Sequence, residues 1–490
     1  MNGTASQKAR LSSVLLMTLC AALLLWTAAR PLYRVFLFTE IDYNEGWNLY
    51  NAQTVALHQP LYPAPVGWTA VNYPALSFHL VAFLSRFTGE FLFTARILSL
   101  AGLCLNALFV GLIVWHTARS RIAAWMAGFF LFAWFCATAD NYVGMDDPQV
   151  LAQAFFLAGL YVYLRGNRSG WSLEAAALLF VVGGNIKHNL IEFPCAVLLD
   201  LLFAAPRKAL RFATVGALLA ALAVLLTSWI DGAAYLSCLL SPRAYSAMDG
   251  LNGLLQLPLN SPLLALATAA AVFFCWKDPK RRILAILLGC ALAVNAVFCG
   301  GSGVDINGYF GSMLAMVLLS GVFAAELSRL RIGRFSGPSP LLTFTVLFVS
   351  LAIPVVRRGN ARPDLLIEAD RVAASRFAAE IAFLRQQPGS AICESLLRCA
   401  YAGKPYVYDP FNATRLIGAG KLDPNRMVDR IRNHAFGAIQ MYNDVDDKLA
   451  DPEPQMSFAL PILKAIGEYY KPGLENEDGV IYIPRNQVGQ

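Results

Sequence analysis

Charge is scarce in this chain. Of its 490 residues, 14% are Asp, Glu, Lys or Arg and 57% are hydrophobic, whereas a soluble globular protein carries about 25% charged residues. That deficit argues against an ordinary soluble enzyme and places most of the chain in lipid. Histidine is rarer still, with five in all. The ten cysteines form no CxxC pair, so a zinc site of that kind is not indicated. Most of them sit singly in apolar runs, where Cys behaves as a small hydrophobe. No internal repeat or low-complexity stretch stands out. The net charge of +7 is explained by the basic loops of a membrane protein, and nucleic acid is not called for as a partner.

What the chain does have is apolar runs of spanning length. The candidate spans are 11–29, 93–115, 122–138, 149–164, 172–185, 189–204, 212–230, 255–275, 283–299, 309–327 and 340–356. Arg30-Pro31 is not a small-residue cleavage site, so the first span is expected to be retained. Basic residues collect in alternate loops: Lys8 and Arg10; Arg119 and Arg121; Arg165 and Arg168; Arg207, Lys208 and Arg211; Lys277, Lys280, Arg281 and Arg282; Arg329, Arg331 and Arg334. The other short loops are almost bare of them. The positive-inside rule makes the first set cytoplasmic, which puts the N-terminus inside and the tail outside.

The expected architecture is an α-helical polytopic membrane protein with eleven spans in the inner (plasma) membrane. Residues 1–356 form its membrane domain, and residues 357–490 form a periplasmic, extracytoplasmic α/β or α+β domain. In the tail, 367–385 has helical spacing, and Ser390–Cys393, 405–408 and 480–483 read as strands. Cys393 and Cys399 fall on the oxidising side, where a disulfide is allowed.

The loops assigned to the outer face hold polar groups with no evident packing role. The first, 30–92, opens on TEIDYNEGW, which packs Glu40, Asp42 and Glu45 into six positions. Two amphipathic helices, 44–57 and 76–87, are expected in it, lying in the interface plane. Later loops carry Asp146-Asp147, Lys187-His188, and a Gly-rich turn with Asp305, Asn307 and Tyr309. Acids from two loops can act as general base and orienting group, or share a divalent cation. Lys187 can hold a phosphate as a point charge, and His188 can ligate a metal or move a proton. Arg96, at the start of the second span, can snorkel or bind phosphate. Two other classes compete. A transporter or flippase of lipid-linked substrates would place its charges mid-span between inverted repeats, and a non-enzymatic membrane scaffold would not need acids in two separate outer loops.

The acidic run, then Leu61-Tyr62-Pro63, Asn72-Tyr73-Pro74-Ala75-Leu76 and Arg96 together resemble the GT-C glycosyltransferases. The likeness is to bacterial members related to protein mannosyltransferases and lipid A aminoarabinose transferases. Residues 305–310 and Tyr408-Asp409-Pro410-Phe411 resemble uncharacterised members of the same kind. Many of those have an acidic residue after the first of these motifs, where this chain has Gly311-Ser312.

The resemblance implies a hexosyl- or pentosyltransferase that takes a sugar from a polyprenyl-phosphate donor at the outer face. The sugar passes with inversion to an envelope glycan, lipid or protein. Asp42 would be the base, Asp146 or Asp147 the second acidic position, and Glu40 and Glu45 its supports. Asn72, Tyr73, Arg96, Lys187, His188, Asp305, Asn307 and Tyr309 would face substrate. A divalent metal, Mg or Mn, would fall to Glu40, Asp42, Asp146 and Asp147.

Overall fold

The computed structural model describes residues 2–64, 67–166, 170–241, 243–332, 335–450 and 458–485; Arg168 and Arg334 lie outside them. The apolar runs fold as helices, which pair every backbone N–H and C=O within the segment, as lipid requires. The chain starts with α1 (Asn2–Val35), followed by α2 (Asn44–Ala56) and α3 (Leu76–Thr88). A bundle follows: α4 (Phe91–Ala118), α5 (Arg121–Thr138), α6 (Gln149–Arg165), α7 (Ser172–Ile186), α8 (Glu192–Ala204), α9 (Pro206–Asp231), α10 (Tyr235–Leu239), α11 (Ala247–Asn260), α12 (Pro262–Lys277), α13 (Arg282–Phe298), α14 (Phe310–Leu327), α15 (Pro340–Ser350) and α16 (Ala352–Arg357).

Among the described residues six helical segments are long and apolar enough to cross a membrane unaided, or seven if α11 and α12 count together; eleven spans were expected. Segments α7 and α13 are apolar but shorter, and each packs among neighbouring helices. The expected span 255–275 is not one helix, because α11 and α12 meet at 97°. Pro258 lies inside α11 and Pro262 in the first turn of α12. Proline removes a helical N–H, and it disfavours helical backbone at the residue before it, here Ser261.

One set of loops meets at one end of the bundle. There the Asn48 side chain donates to the Asp146 carbonyl at 2.5 Å, and the Tyr62 N–H to the Asp231 carbonyl at 2.7 Å. The Ser246 N–H donates to the Gly300 carbonyl at 2.8 Å. At the other end Arg281 pairs with Glu326 at 2.8 Å, and Arg329 donates to the Ala118 carbonyl at 2.5 Å.

After α16 come α17 (Pro363–Gln386) and a four-stranded sheet of β1 (Ser390–Cys393), β2 (Phe436–Met441), β3 (Tyr470–Asn476) and β4 (Gly479–Pro484). The strand order is β1-β2-β4-β3, with β1 and β2 parallel and the other pairs antiparallel. Helices α18 (Leu396–Tyr401), α19 (Pro410–Gly418), α20 (Asn425–Arg432), α21 (Val445–Ala450) and α22 (Leu460–Tyr469) complete this part. The strand expected at 405–408 is absent. Its alternating tyrosines pack on aromatic rings rather than beside a neighbouring strand: Tyr406 stacks on Tyr50 and Tyr408 on Trp68.

The tail closes over the site end of the bundle. Arg30 of α1 grips Asp370 of α17 through two hydrogen bonds of 2.8 and 2.9 Å. A disulfide joins Cys393 to Cys399, with Cα atoms 6.0 Å apart, and the loop it closes lies directly on α2 at Gly46. A Cβ at Gly46 would run into the backbone of Leu396 and Leu397. Gly46→Val should therefore undock α18 from α2, at about 1–3 kcal/mol for overpacking. A lowered thermal midpoint of the purified protein, with unchanged membrane insertion, checks this. Helix α2 is consequently buried along most of its length, from Glu45 to Ala52, rather than spread on the bilayer surface.

Candidate active site

The acidic run divides into groups with different fates. Glu45 is fully buried, in the first turn of α2. Its two oxygens accept from Arg96 Nε at 2.7 Å and Nη2 at 2.6 Å, from the Ile41 N–H at 2.7 Å and from the Asp146 N–H at 3.2 Å. The remaining Arg96 donors go to the carbonyls of Arg34, Leu37 and Thr39. All five guanidinium N–H groups are thus used inside the protein, and Arg96 is 1% exposed. Arg96, expected on the substrate side, does not line the cavity described below, and both Glu45 oxygens are occupied. The two residues clamp the first loop onto α4.

Glu40 is tied to the tail. Its Oε2 accepts from the Tyr442 hydroxyl at 2.8 Å and from Arg398 Nη1 at 3.3 Å, and Arg398 also pairs with Glu380. Burial pushes the Glu40 carboxyl up, against the pull of Arg398. Asp147 pairs with Lys187 at 3.3 Å. The Lys187 ammonium also lies 3.4 Å from the centroid of the Tyr73 ring, and burial pulls its pKa down to about 8. It neutralises a buried acid behind Tyr73 and does not line the cavity below. His188 is also outside that cavity; burial and then the Lys187 charge hold it down to about 4, so it is neutral. Asp146 has no cationic partner among the described residues. Burial, then Glu45 and Asp147, push its carboxyl well up. It borders a small separate cavity with Asn48, Ser77 and Ser99. Tyr309 is buried, with its ring against Phe310.

Asp42 alone of the acidic run opens into a polar cavity of about 430 Å³ between the bundle and the tail. Its Oδ1 accepts from the N–H and the side-chain amide of Asn44, at 3.0 and 2.8 Å. Burial pushes its carboxyl up to about 7; the Asn44 N–H opposes this, while Glu40, Asp305 and Glu45 add to it. Asn72, Tyr73, Asp305 and Asn307 also line this space. Asp305 is exposed and accepts from the Tyr142 hydroxyl at 3.3 Å.

Sequence reasoning missed two sets of residues. Arg243 lines the cavity and makes no ion pair among the described residues. Its loop is laid on the Gly-rich turn by paired backbone bonds, Ser246 to Gly300 and Ser302 to Ala244. It is the basic residue of a short loop at an end otherwise poor in positive charge, the same signal that drew attention to Lys187. The tail supplies Glu394, Asp409, Phe411, Asn412 and Tyr442 to the opposite wall. Of these, Glu394 is held by Lys448 at 2.6 Å, and Asp409 caps α19 through Asn412. The 408–411 motif had marked part of this wall.

The metal set expected from Glu40, Asp42, Asp146 and Asp147 is not assembled. Arg398 and Lys187 take two of these acids and Asp146 faces elsewhere. Among the described residues no three His, Cys, Asp or Glu side chains are grouped to hold a metal ion. Of the acids that open into the cavity, Asp42 and Asp305 have no cationic partner among the described residues.

A second, mostly apolar cavity of about 390 Å³ runs between α3, α7 and α9. His79 and Asp231, paired at 2.9 Å, stand at its rim.

No protein-family model and no curated protein sequence matches the chain. Solved structures do. ArnT from Cupriavidus metallidurans bound to undecaprenyl phosphate aligns at a TM-score of 0.57 and 12% identity, over 97% of this chain and 98% of that one. Its apo form aligns at 0.58, with the same identity and coverage. The archaeal oligosaccharyltransferase AglB from Archaeoglobus fulgidus, in complex with an inhibitory peptide and a dolichol-phosphate, aligns at 0.53 and 12% identity, over 97% of this chain and 75% of that one. At such identity the likeness is one of fold alone: the chain shares the fold of these ArnT and AglB structures.

Proposed function

We propose that this protein transfers a sugar from a polyprenyl-phosphate donor to an acceptor at the outer face of the membrane, with inversion. The observation that carries the reading is the cavity itself: one free carboxylate poised near neutrality, Asp42, and one free guanidinium, Arg243, share a polar space. The apolar cavity beside α9 suits the polyprenyl chain. Undecaprenyl phosphate in ArnT and dolichol-phosphate in AglB are ligands of this chemical kind. The basic loops at the far end support an orientation with the site outside and the tail, 357–490, as an extracytoplasmic domain.

In this reading Asp42 takes the proton of the acceptor hydroxyl or amine as the acceptor attacks the anomeric carbon. The bond from that carbon to the phosphate oxygen breaks on the opposite side, and polyprenyl phosphate departs. Arg243 meets the charge that develops on the phosphate, where a guanidinium fork fits well. Asp305 balances positive charge on an oxocarbenium-like sugar.

Arg243→Gln should raise the KM for donor on the order of tenfold and lower kcat, with an unchanged thermal midpoint because the residue is exposed and unpaired. Steady-state kinetics alongside a melting curve checks this. The function as a whole is tested by mass spectrometry of envelope lipids and glycans with and without the gene. The reading expects the loss of one hexose, pentose or amino-sugar substituent; an unchanged glycan profile counts against it.

A further inference from the structure

The far end of the bundle carries another cavity, which the transfer reaction does not use. It encloses about 490 Å³ and is lined by His116 and Thr117 of α4, Arg119, the end of α6 with Arg165, and the α12–α13 turn with Asp278, Lys280 and Arg281. At 1.5 Å per residue, the stretch of α4 from Arg96 to His116 puts it roughly 30 Å from the candidate active site.

Its charges do not cancel. Arg281 is committed to Asp278 at 3.2 Å and Glu326 at 2.8 Å, and it donates to the Thr117 carbonyl at 3.0 Å. Glu326 takes Arg329 as well. Arg119, Arg165 and Lys280 are left with no carboxylate partner among the described residues. All three line the cup, each with an exposed side chain. Arg119 does so from left-handed backbone, φ 54°, at the end of α4. Gly is the usual residue there, because a Cβ is disfavoured in that conformation. Trp115 and Trp125 are 46% and 65% exposed at the same end, and Arg121 lies 5.8 Å from the Trp115 ring. Exposed tryptophans mark the headgroup level of a bilayer. A general excess of positive charge on a cytoplasmic face explains basic residues there. It does not explain three unpaired cations around one concavity at headgroup depth.

We infer that this cup binds the phosphate headgroup of an anionic membrane lipid. The test uses the purified full-length protein, titrated with phosphatidylglycerol or phosphatidylcholine and read by native mass spectrometry. Phosphatidylglycerol should bind more tightly than phosphatidylcholine. The double variant Arg119→Asn/Lys280→Gln should weaken phosphatidylglycerol binding on the order of twentyfold, given roughly fivefold per basic residue removed. The control Arg207→Gln/Lys208→Gln removes two exposed charges near the same face and should leave binding within about twofold. Arg165→Gln alone should weaken binding in the same direction, which keeps the inference testable should the first double variant fold poorly. Equal losses in the two double variants would overturn the site in favour of diffuse attraction. Saturation by inorganic phosphate with no preference for lipid would overturn the lipid as its occupant.

Discussion

Asp42→Asn should lower sugar transfer by about 10²–10⁴-fold, the contribution of a positioned general base. The amide is nearly isosteric, so the cavity and the donor KM should persist. The pH dependence follows from the same group. A base acts when ionised, and burial holds this carboxyl at about 7. The rate should rise roughly tenfold per pH unit below that value and level off above it, and the slope should vanish in the residual activity of the variant.

Stability moves the other way. The folded pKa lies above the ordinary carboxylate value of 3.8, so the folded state holds its proton more tightly than the unfolded state. That contribution to stability is complete below about pH 4 and is lost as pH rises through about 7. Asp42→Asn should therefore melt higher than the native protein at pH 8 and close to it at pH 4. A residue kept only for structure would show the reverse: a lower melting point and near-native transfer.

Glu45→Ala should damage the protein by a different route. It leaves the Arg96 guanidinium buried without its counter-ion, and breaking such a pair costs about 3–5 kcal/mol. Whole proteins are stable by roughly 5–15 kcal/mol, so low yield of folded protein in detergent is expected. Arg96→Leu should be no milder. It leaves the buried Glu45 charge unpaired and also deprives the carbonyls of Arg34, Leu37 and Thr39 of a donor. Fluorescence-detected size exclusion and melting curves check both variants. A stable, monodisperse Arg96 variant whose only defect is weak donor binding would contradict the clamp and return Arg96 to the substrate side.

The contrast between Asp42 and Glu45 shows where the sequence was legible. The density of acids after the first span drew attention to the loop that brings Asp42 to the cavity, since isolated carboxylates next to lipid are uncommon. It did not say which acid would be free. That depends on where the cations come from: Arg96 lies 51 residues from Glu45, and Arg398 lies 358 residues from Glu40. Such pairings are set by packing and leave no local pattern. Lys187 was singled out for a phosphate because positive charge is rare at that end. The same argument applied to Arg243, and only packing distinguishes them, since one sits behind Tyr73 and the other opens to the cavity.

The break at Ser261 was written in Pro258 and Pro262 but was masked by the continuous apolarity around them. Strand β2 was missed because Gly437 and Gln440 interrupt its apolar pattern. Gln440 is buried all the same, and its side-chain oxygen accepts the Ser395 N–H at 2.9 Å, a long-range requirement that alternation does not express.

The measurement closest to the central claim follows one product of one bond. Purified protein is incubated with a panel of polyprenyl-phosphate sugars and membrane extract as acceptor, and the release of free polyprenyl phosphate is quantified beside the anomeric configuration of the transferred sugar. The account predicts release from at least one donor, a product of inverted configuration, and loss of both with Asp42→Asn while the variant remains folded. Equal release by the Asp42→Asn protein, or a product that retains configuration, would contradict it.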